Sequence, residues 1–182
     1  IVIFGQSALK LNSSGYLFEG MKKFLSDNNK INDNWNAINV LSNNASTVGA
    51  FDLDILDNET IDKVLSNQFE LIFLFGQDNL NIKKKNEFIV YVGTHGDKGA
   101  EMADLILPSA AYTEQDGYYT NLEGNLQLAF KASYPPGEAK EDWKIVNELS
   151  KKLKGKSLYS NKQELIDNFL NYLNQKTKKN NE

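Results

Sequence analysis

The chain has 182 residues and a net charge of −4. It is long enough for one domain that buries most of its apolar surface, and too acidic for the basic face that nucleic acid requires. It has no cysteine, which excludes a thiolate-held iron–sulfur cluster, a zinc thiolate site and a disulfide. No apolar run approaches the roughly 20 residues that span a bilayer.

Ile1-Val2-Ile3-Phe4 reads as a buried strand before Gly5. Because Ile1 already lies inside that run, the sequence is expected to be a portion of a longer chain. A helix is predicted from Ser14 to Ser26, with Leu17, Met21, Phe24 and Leu25 on one face. Asp27 to Asn34 is a polar loop, and a short helix is expected over Trp35 to Leu41. Phe51, Leu53 and Ile55 alternate with Asp52, Asp54 and Asp57, which suits a strand edge or a capping run. The calcium-loop pattern fails there, because its sixth position is Asp57 and its twelfth is Lys63. Asp57 or Asn58 is positioned to cap a helix through Ser66, with Ile61, Val64 and Leu65 inward.

Leu71 to Phe75 is the next buried strand. Only twelve residues separate it from the strand Phe88 to Val92, room for a parallel crossover with at most a short helix. A Gly-rich turn and a short strand, Ala103 to Leu107, follow, stopped by Pro108. Tyr118 to Thr120 and Asn125 to Phe130 suit short strands or an extended loop. Glu138 to Leu153 carries Ile145, Val146, Leu149 and Leu153 at helical spacing. A last helix starts at the capping-box pair Ser160 and Gln163 and turns Leu165, Ile166, Phe169, Leu170 and Leu173 inward. The pattern predicts an α/β fold, a three-layer sandwich with a mostly parallel, Rossmann-like sheet. It divides into a domain over residues 1–153, a helical extension over 154–175 and a disordered tail over 176–182.

The features that suggest chemistry are few. His95 is the only histidine; it stands where a strand yields to a turn, the edge at which open α/β sheets bind ligands. With no cysteine or second histidine beside it, a hydrogen-bonding role fits better than a metal ligand. Gly93, Gly96 and Gly99 imitate a phosphate cradle but lack the Gly-x-Gly start of a dinucleotide fingerprint, and turn geometry accounts for them. Gly5 to Leu9 fails the same test, and no Walker-type Gly-Lys-Ser/Thr occurs. Glu114, Asp116 and Glu123 pose as an acid/base set for which sequence supplies no geometry. Lys151 to Lys156 reads as a solvated face, and Trp35 and Trp143 as core or interface anchors. All 20 cations are lysine and asparagines exceed twenty, a composition that points to an A+T-rich genome, mitochondrial or reduced bacterial.

One order of motifs carries more. His95-Gly96-Asp97-Lys98-Gly99-Ala100 follows the strand at Phe88, and then come Ala103 to Glu114, Asn121-Leu122-Glu123-Gly124 and Pro135 to Ile145. This order resembles the molybdopterin-oxidoreductase-like domain in the large iron–sulfur subunit of respiratory complex I. Weaker matches lie at Gly5 to Leu9, Trp35-Asn36 and Phe73 to Gly76, so the likeness covers residues 1 to about 150.

The resemblance implies that His95, Gly96 and Asp97, with Asn121, Glu123 and Gly124, stand in loops that lie near the pterin in active relatives and are vestigial here. Asn125 replaces an arginine usual after the Glu-Gly pair. It implies no catalytic residue, no metal ligand and no cofactor in this chain, with iron–sulfur clusters in other regions or chains of the same complex. The chain would then be a structural, non-redox domain in the peripheral arm of NADH:ubiquinone oxidoreductase, a proton-translocating enzyme complex. Its partners would be other peripheral-arm subunits and the N-terminal cluster-bearing part of its own subunit, with the membrane reached only through the complex. The location implied is the matrix side of the mitochondrial inner membrane, or the cytoplasmic side of a bacterial inner membrane. The alternative is a fragment of an active molybdopterin oxidoreductase of the formate dehydrogenase or nitrate reductase type.

Overall fold

The computed structural model of the protein describes residues 1–55 and 58–179. They group into two compact units, one from residues 1–50 and 119–127, the other from 51–118 and the chain from 128 onward.

The first unit begins with β1 (Val2–Gly5), the single turn α1 (Gln6–Leu9) and α2 (Ser14–Asp27), followed by β2 (Ile31–Asn32), β3 (Trp35–Asn36) and β4 (Ile38–Leu41). β1 and β4 run parallel, with Val2 opposite Ile38 and Phe4 opposite Val40. The Phe4 ring lies 5.6 Å from Phe18 of α2, which seats the helix on that face of the ladder. Of the four apolar residues that helical spacing turns inward, Leu25 is buried and Met21 half-buried, while Leu17 and Phe24 are exposed.

The short helix expected over Trp35 to Leu41 is replaced by β3 and β4. Asn36 Oδ1 accepts the Ile38 N–H at 3.0 Å, a local bond that competes with helical pairing. Val2 then donates to the carbonyl of buried Ala37 at 2.7 Å and recruits the segment to β1. β2 and β3 form an antiparallel ribbon turned through Asp33-Asn34, where Asn34 N–H donates to Asn32 Oδ1.

The helix α3 (Thr47–Asp52) leads onward. Phe51 to Ile55 is therefore a helix end and a turn rather than a strand edge, with Asp54 in the left-handed region at φ +57°. Asp57, one of the two cap candidates, lies outside the described residues, and α4 (Asn58–Leu65) begins at the other.

The second unit is built on a parallel ladder of β5 (Leu71–Phe75), β6 (Phe88–Gly93) and, after the short helix α5 (Lys98–Met102), β7 (Leu105–Pro108). The register sets Ile72 opposite Ile89 and Leu74 opposite Tyr91. Period-two alternation puts these four on one face, where they form the core with Val64 and Ile82, and Leu80, Ala100, Met102 and Ala103 pack against it. Each fully buried aliphatic side chain of this size contributes about 1.5–3 kcal/mol. The parallel pairing and the α/β class match the fold read from the sequence, with the parallel strands falling into ladders of three and two.

Strand β5 is buried on one face only: Ile72 and Leu74 are covered, whereas Leu71, Phe73 and Phe75 are exposed, and the last two rings stack at 6.3 Å. Among the described strands β5 pairs only with β6. In α4, Val64 is buried while Ile61 and Leu65 are exposed.

The crossover from β5 to β6 contains no helix. It is pinned by Leu80 and Ile82 in the core and by Asp104, whose carboxylate accepts the Lys84 ammonium at 2.6 Å and the Ile89 N–H at 2.8 Å. Asp104, just before β7, thereby joins the crossover to β6, and the Lys84 ammonium, with the Ile89 amide, holds its carboxyl below the ordinary aspartate range.

Next come the paired strands β8 (Gly117–Thr120) and β9 (Leu126–Ala129), then α6 (Asp142–Lys154) and α7 (Lys162–Lys179). α6 begins four residues later than the apolar spacing suggests. Gly137 is left-handed at φ +55°, and Lys140 is held extended by a parallel bridge to Ser109, beside Pro108. Glu141, only 7% exposed, ends this segment. It receives Lys162 at 2.7 Å, Lys144 at 3.2 Å and the Trp143 indole N–H at 3.1 Å. Lys162 also reaches Asp116 at 3.2 Å, so one ammonium ties the entry of β8 to the starts of α6 and α7.

The cap of α7 sits one residue beyond the expected Ser160/Gln163 pair. Asn161 Oδ1 accepts the Glu164 N–H, and Glu164 reaches back to the Ser160 N–H. α7 continues past Lys176, where a tail was expected, and Lys176 pairs with Asp54 at 2.6 Å; residues 180–182 lie outside the described residues. Among the described residues no helix is long and apolar enough to cross a membrane.

Candidate functional site

In the second unit the C-terminal edge of β5 and β6 is the edge at which open α/β sheets bind ligands. Strand alternation places Tyr91 and Gly93 on the same face of β6, and the Tyr91 ring, 2% exposed, leans over Gly93. A Cβ at Gly93 would lie 2.4 Å from Cε1, Cζ and Oη of Tyr91; one at Gly99 would lie 2.6 Å from Cε2 and 2.7 Å from the Gln77 carbonyl oxygen. At Gly96 a Cβ would meet nothing within 4 Å. Two of the three glycines therefore exist to clear an aromatic ring. The space that the Gly-x-x-Gly-x-x-Gly spacing suggests for a phosphate holds a side chain of the chain itself.

That ring is anchored by a second residue. Asp78 Oδ2 accepts the Tyr91 hydroxyl at 3.1 Å and Oδ1 accepts the Gly99 N–H at 3.0 Å. Burial, then the Asp78 hydrogen bond and its charge, with Asp97 adding to it, push the Tyr91 phenol up. Of the residues singled out from sequence, the consecutive His95, Gly96 and Asp97 lie on the exposed turn between β6 and α5. His95 Nδ1 bonds Thr94 Oγ1 at 2.7 Å, and the Asp97 carbonyl accepts the Glu101 N–H inside α5.

Asn121, Glu123 and Gly124 belong to the first unit, in the turn between β8 and β9. Asn121 Oδ1 accepts the N–H groups of Glu123 and Asn125 at 3.0 and 2.9 Å, Asn125 Nδ2 donates to Glu123 Oε2, and Gly124 takes φ +82°. The asparagine that stands where an arginine is usual is spent on closing this turn. Beside it a cavity of about 450 Å³ is lined by neutral groups, among them Ser42, Asn43, Ser46, Thr47, Thr120 and Asn121. Ser42 donates to Thr47 Oγ1, and Thr120 N–H donates to Ser46 Oγ.

The pterin that the resemblance implies for active relatives carries phosphate, and neither location fits one. The Gly99 amide at the start of α5 is taken by a carboxylate, and the cavity offers no cation to compensate a buried anion. Among the described residues no group of three or more metal-ligating side chains gathers. Asp78, Tyr91 and the Ser42–Thr47 loop were not singled out from sequence. For Tyr91 a signal existed, an aromatic two positions before a glycine on one strand face, where glycine marks close approach. Glu114 binds its own turn through the Ala111 N–H and Asp116 pairs with Lys162, which leaves neither arranged as an acid/base partner of the other.

Residues 1–152 match the molybdopterin oxidoreductase family. The chain is 45% identical to an NADH-quinone oxidoreductase subunit of Rickettsia bellii over 91% of its own length and 24% of that protein's. It is 38% identical to the NADH-ubiquinone oxidoreductase 75 kDa subunit of Reclinomonas americana over 93% of its length and 25% of the relative's. Against the mitochondrial 78 kDa subunit of Candida albicans the identity is 39%, over 87% of the chain and 22% of the relative. The chain thus spans about a quarter of the length of the curated relatives it matches.

Proposed function

The chain belongs to the molybdopterin oxidoreductase family, and on that premise we propose that it serves as a structural, non-redox domain of complex I, NADH:ubiquinone oxidoreductase, within its large iron–sulfur subunit. The observation that carries this reading is the 36–45% identity, along most of the chain, to the bacterial NADH-quinone oxidoreductase subunit and to the 75 and 78 kDa subunits. Supporting it, the chain has no cysteine for a cluster, and its strand-end loop is occupied by Tyr91 and Asp78. In this role the domain props the cluster-bearing part of its subunit and presents docking surface to neighbouring peripheral-arm subunits. Interfaces of that obligate kind are broad and apolar, and the open face of Leu71, Phe73 and Phe75 suits one. The location that follows is the matrix side of the mitochondrial inner membrane, or the cytoplasmic side in a bacterium.

The test is to purify the native membrane complex and ask whether this polypeptide co-migrates with NADH dehydrogenase activity. Its presence in the active band is the expected result, and its absence ends the proposal. Stoichiometric molybdenum or tungsten in the same preparation, bound by this chain, would replace the structural reading with that of an active family member.

A further inference from the structure

We infer that Asp78 is the resident anion of the strand-end loop: its carboxylate holds the Gly99 amide and the Tyr91 hydroxyl, so that the chain itself closes the place an exogenous phosphate would need. The two oxygens are spent separately, Oδ1 on the Gly99 N–H at 3.0 Å and Oδ2 on the Tyr91 hydroxyl at 3.1 Å. Between them the Tyr91 ring, 2% exposed, fills the clearance left by Gly93 and Gly99. An incoming phosphate would have to expel Asp78 from both bonds and leave a buried hydroxyl without its acceptor. It would also face the negative charges of Asp78 and Asp97 together, in a chain without arginine. The loop is thus a joint between β5 and β6 in which a side chain does what a ligand does elsewhere. This deepens the structural reading above, and it rests on that reading for the absence of a cofactor from the second unit.

The experiment uses the full chain, labelled with 15N and with 13C-tyrosine, followed by NMR at the Gly99 amide and the Tyr91 ring. Inorganic pyrophosphate titrated into the wild type is expected to leave the Gly99 amide unmoved. In Asp78→Ala the Gly99 amide should exchange with solvent about tenfold faster, the equivalent of one lost hydrogen bond. Asp78→Asn keeps an acceptor and removes the charge, so Gly99 stays protected while the Tyr91 phenol ionises at lower pH; this variant carries the test if the alanine variant fails to fold. A saturable shift of Gly99 with pyrophosphate in the wild type overturns the inference. So does unchanged exchange in Asp78→Ala, or an unchanged Tyr91 titration in Asp78→Asn. Co-migration with the membrane complex is untouched by any of these results, which separates failure of the inference from failure of the proposed function.

Discussion

Gly93→Ala probes the clearance of the Tyr91 ring directly. The new methyl carbon would stand 2.4 Å from three atoms of the Tyr91 side chain, about 1 Å or more inside an ordinary carbon–carbon contact. The ring has little room to yield: it is 2% exposed, and its hydroxyl is tied to Asp78. Overpacking of this kind costs about 1–3 kcal/mol. A chain of this size loses roughly 2–4 °C of Tm per kcal/mol, so the expected fall is about 2–12 °C, read by near-ultraviolet circular dichroism during heating. Gly96→Ala, with nothing within 4 Å of its Cβ, should stay within about 0.5 kcal/mol of wild type. In a Tyr91→Leu background the Gly93→Ala penalty should shrink, with a coupling of about 0.5–3 kcal/mol between the two sites. Equal melting of the Gly93 and Gly96 variants, or the same Gly93 penalty in both backgrounds, would refute clearance of the ring as the reason for that glycine.

Other outcomes follow from the same contacts. Ile89→Ala, at a fully buried ladder position, should destabilise by about 2–5 kcal/mol and Ile89→Val by about 0.5–1.5 kcal/mol, measured by urea titration. Asp104→Leu removes the carboxylate that accepts the Lys84 ammonium and the Ile89 amide, so under the proposed structural role complex content in membranes should fall while turnover per assembled complex stays normal; the reverse pattern would contradict that role. Burial pushes the Glu141 carboxyl up, but Lys162, Lys144 and Trp143 outweigh it and hold it below the ordinary glutamate value of 4.5. The folded state therefore binds the proton less readily than the unfolded one. The stabilisation is complete above about pH 4.5 and is lost as pH falls through the lower folded value, and Glu141→Gln should flatten that acid limb. For Lys162 burial lowers the value, yet Glu141 and Asp116 raise it above 10.5; that contribution is present below pH 10.5 and disappears as pH climbs through the folded value, a loss that Lys162→Met should abolish.

What could be read in advance followed from strong local signals. The runs at Val2–Phe4, Leu71–Phe75 and Phe88–Val92 are β-branched and aromatic enough to specify strands whatever surrounds them. Trp35 to Leu41 gave no such signal, because its asparagines dilute the pattern, and the partner that makes it a strand, β1, lies more than thirty residues away. The start of α6 was obscured for a similar reason: Glu138 to Lys140 have helical composition, but Lys140 is claimed by backbone bonds to Pro108 and Ala110. At the candidate site the glycine spacing was visible and its cause was not. Gly93 and Gly99 answer to one ring whose position depends on Asp78, which reaches it from the crossover beyond β5.

The flank of β5 that no described strand covers has a practical consequence. Leu71-Ile72-Phe73-Leu74-Phe75 contains no charge, no proline and no bulge to discourage another strand from adding to it, and natural proteins rarely leave such a margin unguarded. Handled alone in the test tube, this polypeptide should self-associate as its concentration rises. Phe73→Lys, which puts a charge on that margin, should keep it monodisperse.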